Sequence, residues 1–111
     1  MELTSLSNEF WVSPQIVVSD LAGLATDGYT DVICYRPDDE HLKETSSSHI
    51  AQACAALGLN FHYCPIVPGE PFEGQAKALA DLLNRPNIKI CAYCRSGARA
   101  SKAFTQASVM V

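Results

Sequence analysis

The residues with the clearest chemical potential occupy positions 94–99, which read C-R-S-G-A-R near the C-terminal end of the chain. An apolar run ends directly before Cys94, and a helical pattern begins within the segment. The N-terminus of a helix, inward-pointing backbone N–H groups and nearby arginines each favour a thiolate. We therefore predict that Cys94 is a nucleophile in an anion-binding loop made by Arg95, Ser96, Gly97, Ala98 and Arg99.

Other interpretations of this segment are weaker. Cys91 and Cys94 form a C-x-x-C pattern, which is typical of redox pairs and of zinc sites. Cys91 lies inside a predicted strand, however, where alternation turns its side chain away from Cys94, and no histidine follows at ligand spacing. An inert buried cysteine would not need Gly97 and two arginines within five residues. The sequence predicts no metal and no cofactor.

The flanking sequence alternates between strand and helix patterns. Strands are predicted at 10–12, 30–35, 60–67 and 89–93, and helices at 20–27, 48–57, 73–84 and from 97 onward. The third strand is expected either to break at Pro65 or to end at Pro68 and Gly69. This order predicts an α/β fold with a largely parallel central sheet flanked by helices. Because ligands bind at the C-terminal ends of parallel strands, the loop that follows the last strand is well placed for chemistry.

Bulk properties exclude several classes of function. The chain has 111 residues and is 48% hydrophobic, which suits a single domain over 1–111 with its own core. A net charge of −4 argues against nucleic acid as a partner, and no run reaches the about 18 apolar residues of a membrane span. Five scattered cysteines predict a reducing, cytoplasmic setting. The last helix reaches Val111 without a capping signal, so we expect a domain truncated at its C-terminus.

Several segments together resemble the phosphatase-like domain of beta-lactamase-hydrolase-like bacterial proteins, which are relatives of the dual-specificity protein tyrosine phosphatases. They are S-P-Q-I at 13–16, G-Y-T-D-V-I at 28–33, R-P-D-D-E at 36–40, P-I-V at 65–67 and Y-C-R-S-G at 93–97. The resemblance implies a cysteine-phosphatase fold, a thiolate at Cys94 and an oxyanion-binding Arg99. It also implies that a hydrolase domain can be fused to this one in a longer protein.

The chain departs from the phosphatase pattern at two positions. Four residues separate Cys94 from Arg99, where the phosphatase signature has five, so Ala100 stands at the usual position of the arginine. Tyr93 stands where classical phosphatases carry histidine. The shorter loop is also similar to that of single-domain rhodaneses, and its smaller ring of N–H groups suits a persulfide better than a phosphate.

Two activities and one binding function therefore stay open. The first is a phosphatase-like hydrolase that acts on a small anionic or phosphorylated substrate. The second is a sulfurtransferase that carries a persulfide on Cys94 between a sulfur donor and an acceptor. The third is a non-catalytic module that binds anions.

A phosphatase also needs an acid that protonates the leaving oxygen. The resemblance implies the loop after Val67, where Glu70 is displaced from the family position, and Asp38 is the candidate in the loop after the second predicted strand. Arg36 could steer an anion, although a surface salt bridge is the alternative. Cys64 could act as a resolving thiol only if its strand neighbours that of Cys94.

Overall fold

Five strands form one sheet in the computed structural model, which describes residues 1–40 and 45–110. The strands are β1 (Thr4–Ser5), β2 (Phe10–Ser13), β3 (Asp31–Cys34), β4 (Asn60–Tyr63) and β5 (Ile90–Tyr93). Their order across the sheet is β1-β2-β5-β3-β4. The first pair is antiparallel, and β2, β5, β3 and β4 run parallel to their neighbours. The predicted fold class is confirmed.

Four α-helices in the described part of the chain cover the two faces of the sheet. They are α1 (Leu21–Thr26), α2 (Ser47–Ala56), α3 (Glu73–Leu83) and α4 (Ala98–Ser108). One buried cluster joins α3 and α4 to side chains of β2, β3 and β5, and a second joins α1 and α2 to the opposite faces of β3 and β5. This arrangement follows from right-handed crossovers between parallel strands, which place helices on both sides of a sheet.

One strand was missed, and the bounds of one predicted strand and one predicted helix were wrong. β1 was missed because a two-residue, exposed, polar strand carries no periodic signal. The strand predicted at 60–67 ends as regular structure at Tyr63, which agrees with the alternative of a break at Pro65, since proline has no N–H to donate. The first helix starts at Leu21 after a 3₁₀ turn over Val18–Asp20, in which Asp20 accepts a hydrogen bond from the Val17 N–H at 3.0 Å.

The loops that follow neighbouring strands meet at the C-terminal edge of the sheet. The Gln15 N–H donates to the Arg95 carbonyl at 3.2 Å, and the Tyr35 N–H donates to the Tyr93 carbonyl at 2.8 Å. The Ile66 N–H in turn donates to the Tyr35 carbonyl at 2.8 Å. Segments after β2, β3 and β4 are thereby tied, directly or in series, to the segment that follows β5.

Cys64 does not meet the condition for a resolving thiol, because β3 separates its strand from β5. Within the described ranges, no helix has the length and apolar character that a membrane crossing requires.

Candidate active site

The Cys94 sulfur lies at the end of β5 and accepts a hydrogen bond from the backbone. The N–H of Gly97 donates to Sγ at 3.0 Å, and Cys94 has no solvent-exposed surface in this state. Cys91 belongs to the cluster on the opposite face of the sheet, as strand alternation predicted. The two cysteines of the C-x-x-C pattern are therefore directed to different sides of β5.

The other four cysteines lie in surroundings that keep a thiol protonated. Burial raises the pKa of Cys34 and of Cys54 to about 11, and that of Cys91 to about 12. Burial also raises the pKa of Cys64. Cys34 lies within hydrogen-bond distance of the Arg36 carbonyl, 3.2 Å away, which the S–H of a neutral thiol can reach as a donor. The Cys94 sulfur, in contrast to that of Cys34, accepts a hydrogen bond from a backbone N–H.

Backbone N–H groups around this sulfur lack acceptors. Those of Arg95, Ser96 and Arg99 have no acceptor among residues 1–40 and 45–110, and that of Ala98 has only the Ser96 hydroxyl at 3.4 Å. Orphan N–H groups at the start of a helix are the usual partners of a bound anion. The loop thus has the donors that an oxyanion or a persulfide would need.

Gly97 permits this backbone conformation, since its φ is +94°. A Cβ at this position would lie 3.6 Å from the Ser13 carbonyl, an ordinary contact, so the expected cost of a side chain is backbone strain and not a clash. We predict that Gly97→Ala lowers the free energy of unfolding by about 1 to 2 kcal/mol.

A urea titration would measure the effect of Gly97→Ala, with Gly23→Ala as the matched control. Gly23 lies within α1, and a Cβ added there would meet nothing within 4 Å, so alanine should leave stability unchanged or raise it. Equal stability of the two variants would contradict the role given to the φ of Gly97.

Arg99 provides the guanidinium of the site. Its Nη1 donates to Glu40 Oε2 at 3.0 Å and to the Ile66 carbonyl at 2.9 Å, and its Nη2 donates to Glu40 Oε1 at 2.8 Å. The Nε–H and the second Nη2 hydrogen donate to no oxygen in the described part of the chain, and the guanidinium lies within hydrogen-bond reach of the Cys94 sulfur. Ala100, at the position of the phosphatase arginine, is fully buried in the core. The positive charge at the site therefore comes from Arg99, which four residues separate from Cys94, and not from the next position.

Glu40 is an ion-pair partner that sequence analysis did not single out. The Arg99 hydrogen bond lowers the pKa of Glu40, so the carboxylate stays ionised at neutral pH and is unsuited to donate a proton. The same contact raises the pKa of Arg99, with the neighbouring Cys94 sulfur as a further cause. The sequence offered only one signal for this pairing: Glu40 is an acidic residue in the loop after β3, and Arg99 needs a counter-charge.

The two candidate acids lie away from this ion pair. Both carboxylate oxygens of Asp38 accept hydrogen bonds from Ser47, from its N–H at 2.8 Å and its hydroxyl at 2.7 Å, at the N-terminus of α2. Glu70 is exposed in a turn closed by its own N–H and the Val67 carbonyl at 3.1 Å. Neither side chain lines the cavity next to Arg99, and the Asp38 carboxylate is instead bound to the first residue of α2.

A cavity of about 480 Å³ opens beside the loop and carries a positive charge. It is lined by Arg36, Glu40, Pro68, Arg95 and Arg99. Three cations and one anion in this space favour a small anionic ligand. No group of three or more histidine, cysteine or acidic side chains in the described ranges is arranged to hold a metal ion.

Tyr93 does not take part in this cavity. Its side chain packs in the cluster on the opposite face of the sheet, where its buried hydroxyl lies next to the Cys34 thiol. Burial raises the pKa of Tyr93, with the neighbouring Cys34 as a further cause. The position that holds histidine in classical phosphatases therefore contributes packing here.

Comparisons with known proteins agree on one family. The model of the family described as "Beta-lactamase hydrolase-like protein, phosphatase-like domain" matches residues 2–110. A beta-lactamase hydrolase-like protein of Agrobacterium fabrum is 21% identical over 90% of this chain, and the chain spans only 23% of that relative's length.

Solved structures show the same fold. A Neisseria meningitidis protein named "putative phosphatase" is 27% identical, with a TM-score of 0.79 over 90% of this chain and 71% of its own. Kinase associated phosphatase, with its catalytic-site cysteine replaced by serine, gives a TM-score of 0.66 at 14% identity over 92% of this chain and 68% of its own. The sheet and helices are therefore those of a phosphatase-like domain.

Proposed function

Because the chain belongs to this phosphatase-like family, we propose that it is a hydrolase of phosphate monoesters with Cys94 as nucleophile. The Cys94 thiolate attacks phosphorus and the ester oxygen leaves with its electron pair, which gives a phosphocysteine. Water then attacks this intermediate, releases inorganic phosphate and restores the thiolate. The observation that carries the proposal is the Gly97 N–H donated to the Cys94 sulfur beside the Arg99 guanidinium.

Arg99 and the loop amides stabilise the charge that develops on the equatorial oxygens. The end of the guanidinium is held by Glu40, so its other edge, with Nε–H and one Nη2–H, is the edge offered to the oxyanion. Arg95 and Arg36 add positive potential around the cavity, which attracts an anionic substrate.

The leaving group is expected to depart without help from a carboxylic acid of the described residues. Among the described residues, Glu40 is the only carboxylate that lines the cavity, and its lowered pKa keeps it ionised. Phosphate esters whose leaving oxygen is a stable anion, such as aryl phosphates, should therefore be hydrolysed far faster than alkyl phosphates.

We predict that kcat/KM rises steeply, by about tenfold or more, from phenyl phosphate to a nitrophenyl phosphate. The measurement is a series of aryl phosphates of graded leaving-group acidity, assayed at one pH with the same enzyme preparation. A flat dependence would show that a proton donor acts at the leaving oxygen and would contradict this part of the proposal.

A second function, sulfur transfer, is supported by two observations. Four residues separate Cys94 from Arg99, as in the shorter loop, and sulfur transfer needs no acid. The Cys94 thiolate would attack the sulfane sulfur of thiosulfate, with sulfite as the leaving group, and the resulting persulfide would pass its outer sulfur to cyanide or a thiol. Atoms and charge balance because the thiolate is regenerated.

Assays of both reactions on the same preparation separate these functions. Phosphate release without thiocyanate formation supports the hydrolase, and thiocyanate formation without phosphate release supports the transferase. Binding of sulfate or phosphate with neither activity would identify a non-catalytic anion-binding module.

A further inference from the structure

Four side chains form a continuous polar chain from the end of β2 to the candidate active-site arginine. Arg36 donates from Nη1 to Gln15 Oε1 at 3.0 Å and from Nη2 to the Glu40 carbonyl. Its Nε lies 3.5 Å from Glu40 Oε1, and the Glu40 carboxylate then holds both Nη atoms of Arg99. The chain therefore links Gln15, Arg36, Glu40 and Arg99 in that order.

These contacts are sheltered from solvent. The side chains of Arg36 and Arg99 are each 14% exposed, and that of Glu40 is 27% exposed. Long, flexible side chains in such surroundings lose rotamer freedom that they retain at a fully exposed site. The Arg99 guanidinium is thus fixed before any ligand arrives.

The way in which Arg99 is fixed leaves one edge available. A guanidinium has five N–H donors in a rigid plane, and Glu40 and the Ile66 carbonyl take three of them at the Nη end. The Nε edge remains on the other side of the same plane. Because the guanidinium is planar and rigid, binding of its Nη atoms also fixes the direction of its Nε–H.

We propose that Glu40 is a positioning residue, supported by Arg36 and Gln15, that aims the Nε edge of Arg99 at the anion bound over Cys94. This inference rests on the proposed function for its kinetic consequence, but the anchoring of Arg99 stands on the contacts alone. It assigns to Glu40 a role that acts through Arg99 and not on the substrate.

The decisive variant is Glu40→Gln. Glutamine has nearly the same shape, but it offers one acceptor and one donor where the fork of Arg99 requires two acceptors. We expect kcat to fall by about 30-fold to 100-fold with a smaller change in KM, because a misaimed donor loses most in the transition state. Asp39→Asn is the matched control, since it removes the same charge from an adjacent, exposed carboxylate. It should stay within about twofold of the wild-type protein.

A direct probe of the anchor is the Arg99 Nε–H resonance in an NMR spectrum. We expect a sharp signal in the wild-type protein and in Asp39→Asn, and a signal broadened by exchange in Glu40→Gln. The dissociation constant for inorganic phosphate, measured on the same three proteins, should rise only in Glu40→Gln. Thermal unfolding of each variant verifies that the comparison is between folded proteins.

A double-mutant cycle tests whether Glu40 acts through Arg99. In an Arg99→Ala background, Glu40→Gln should reduce kcat no further, because no guanidinium remains to be aimed. Equal losses in both backgrounds would overturn the proposal, as would a sharp Arg99 signal and wild-type phosphate affinity in Glu40→Gln. If the wild-type protein turns over neither substrate, the proposed function fails, while the NMR and phosphate-binding results still decide whether Glu40 positions Arg99.

Discussion

Replacing Cys94 with serine is expected to lower turnover by at least about a thousandfold, for either phosphate esters or thiosulfate. A serine hydroxyl stays protonated at neutral pH, and none of the described residues that line the adjacent cavity is a neutral base that could activate it. The Gly97 N–H, which donates to the cysteine sulfur at 3.0 Å, would face a neutral oxygen. Binding of phosphate should persist, since the loop amides and Arg99 are unchanged.

Cys64→Ser is the control for this substitution. Cys64 is partly exposed after β4, two strands away from Cys94, and should tolerate serine with full activity. Steady-state rates of both variants, normalised to folded protein, give the comparison. Turnover within about tenfold of wild type in Cys94→Ser would exclude Cys94 as the nucleophile.

Replacing Arg99 with lysine is expected to lower kcat by about a hundredfold to a thousandfold. Lysine keeps the positive charge but has no planar fork, so it cannot hold Glu40 with two bonds and an oxyanion with two more. The loss should be larger in kcat than in the affinity for phosphate, because the fork matters most when charge develops on the transferred group.

Arg85→Lys is a suitable comparison for this change. Arg85 is exposed and lines cavities at other parts of the surface, so lysine should leave kcat unchanged. Rates for Arg99→Lys that match those of Arg85→Lys would show that charge alone suffices. That result would remove the argument for bidentate recognition of the oxyanion.

The alternation of strands and helices was predictable because it depends on local patterns. Residues 90–93 are buried on both faces of the sheet and appear as an unbroken apolar run, and helices with one apolar stripe separate the parallel strands. The order of strands in the sheet was not predictable, since pairing of β5 between β2 and β3 is decided by packing between distant segments. β1 was not predictable either, because it contains no apolar residue and therefore has no strand pattern in the sequence.

The loop that holds Cys94 was predictable from the sequence, but the carboxylate that pairs with Arg99 was not. Cys94, Gly97 and Arg99 lie within six consecutive residues, so a turn and a helix start bring them together without long-range contacts. The choice among carboxylates depends on how one loop folds. Asp38 turns toward Ser47, while Glu40, two residues later, turns toward Arg99. No observation tests the acid roles predicted for Asp38 and Glu70, and the aryl phosphate series would decide between them and departure without an acid.

The most direct test of the account is the intact mass of the protein after rapid mixing with each substrate and acid quenching. We predict one added phosphoryl group from an aryl phosphate, or one added sulfur atom from thiosulfate, located on Cys94 by peptide mapping and absent in Cys94→Ser. Turnover by the wild-type protein with no covalent group on Cys94 at any time during the reaction would contradict the claim that its sulfur is the nucleophile.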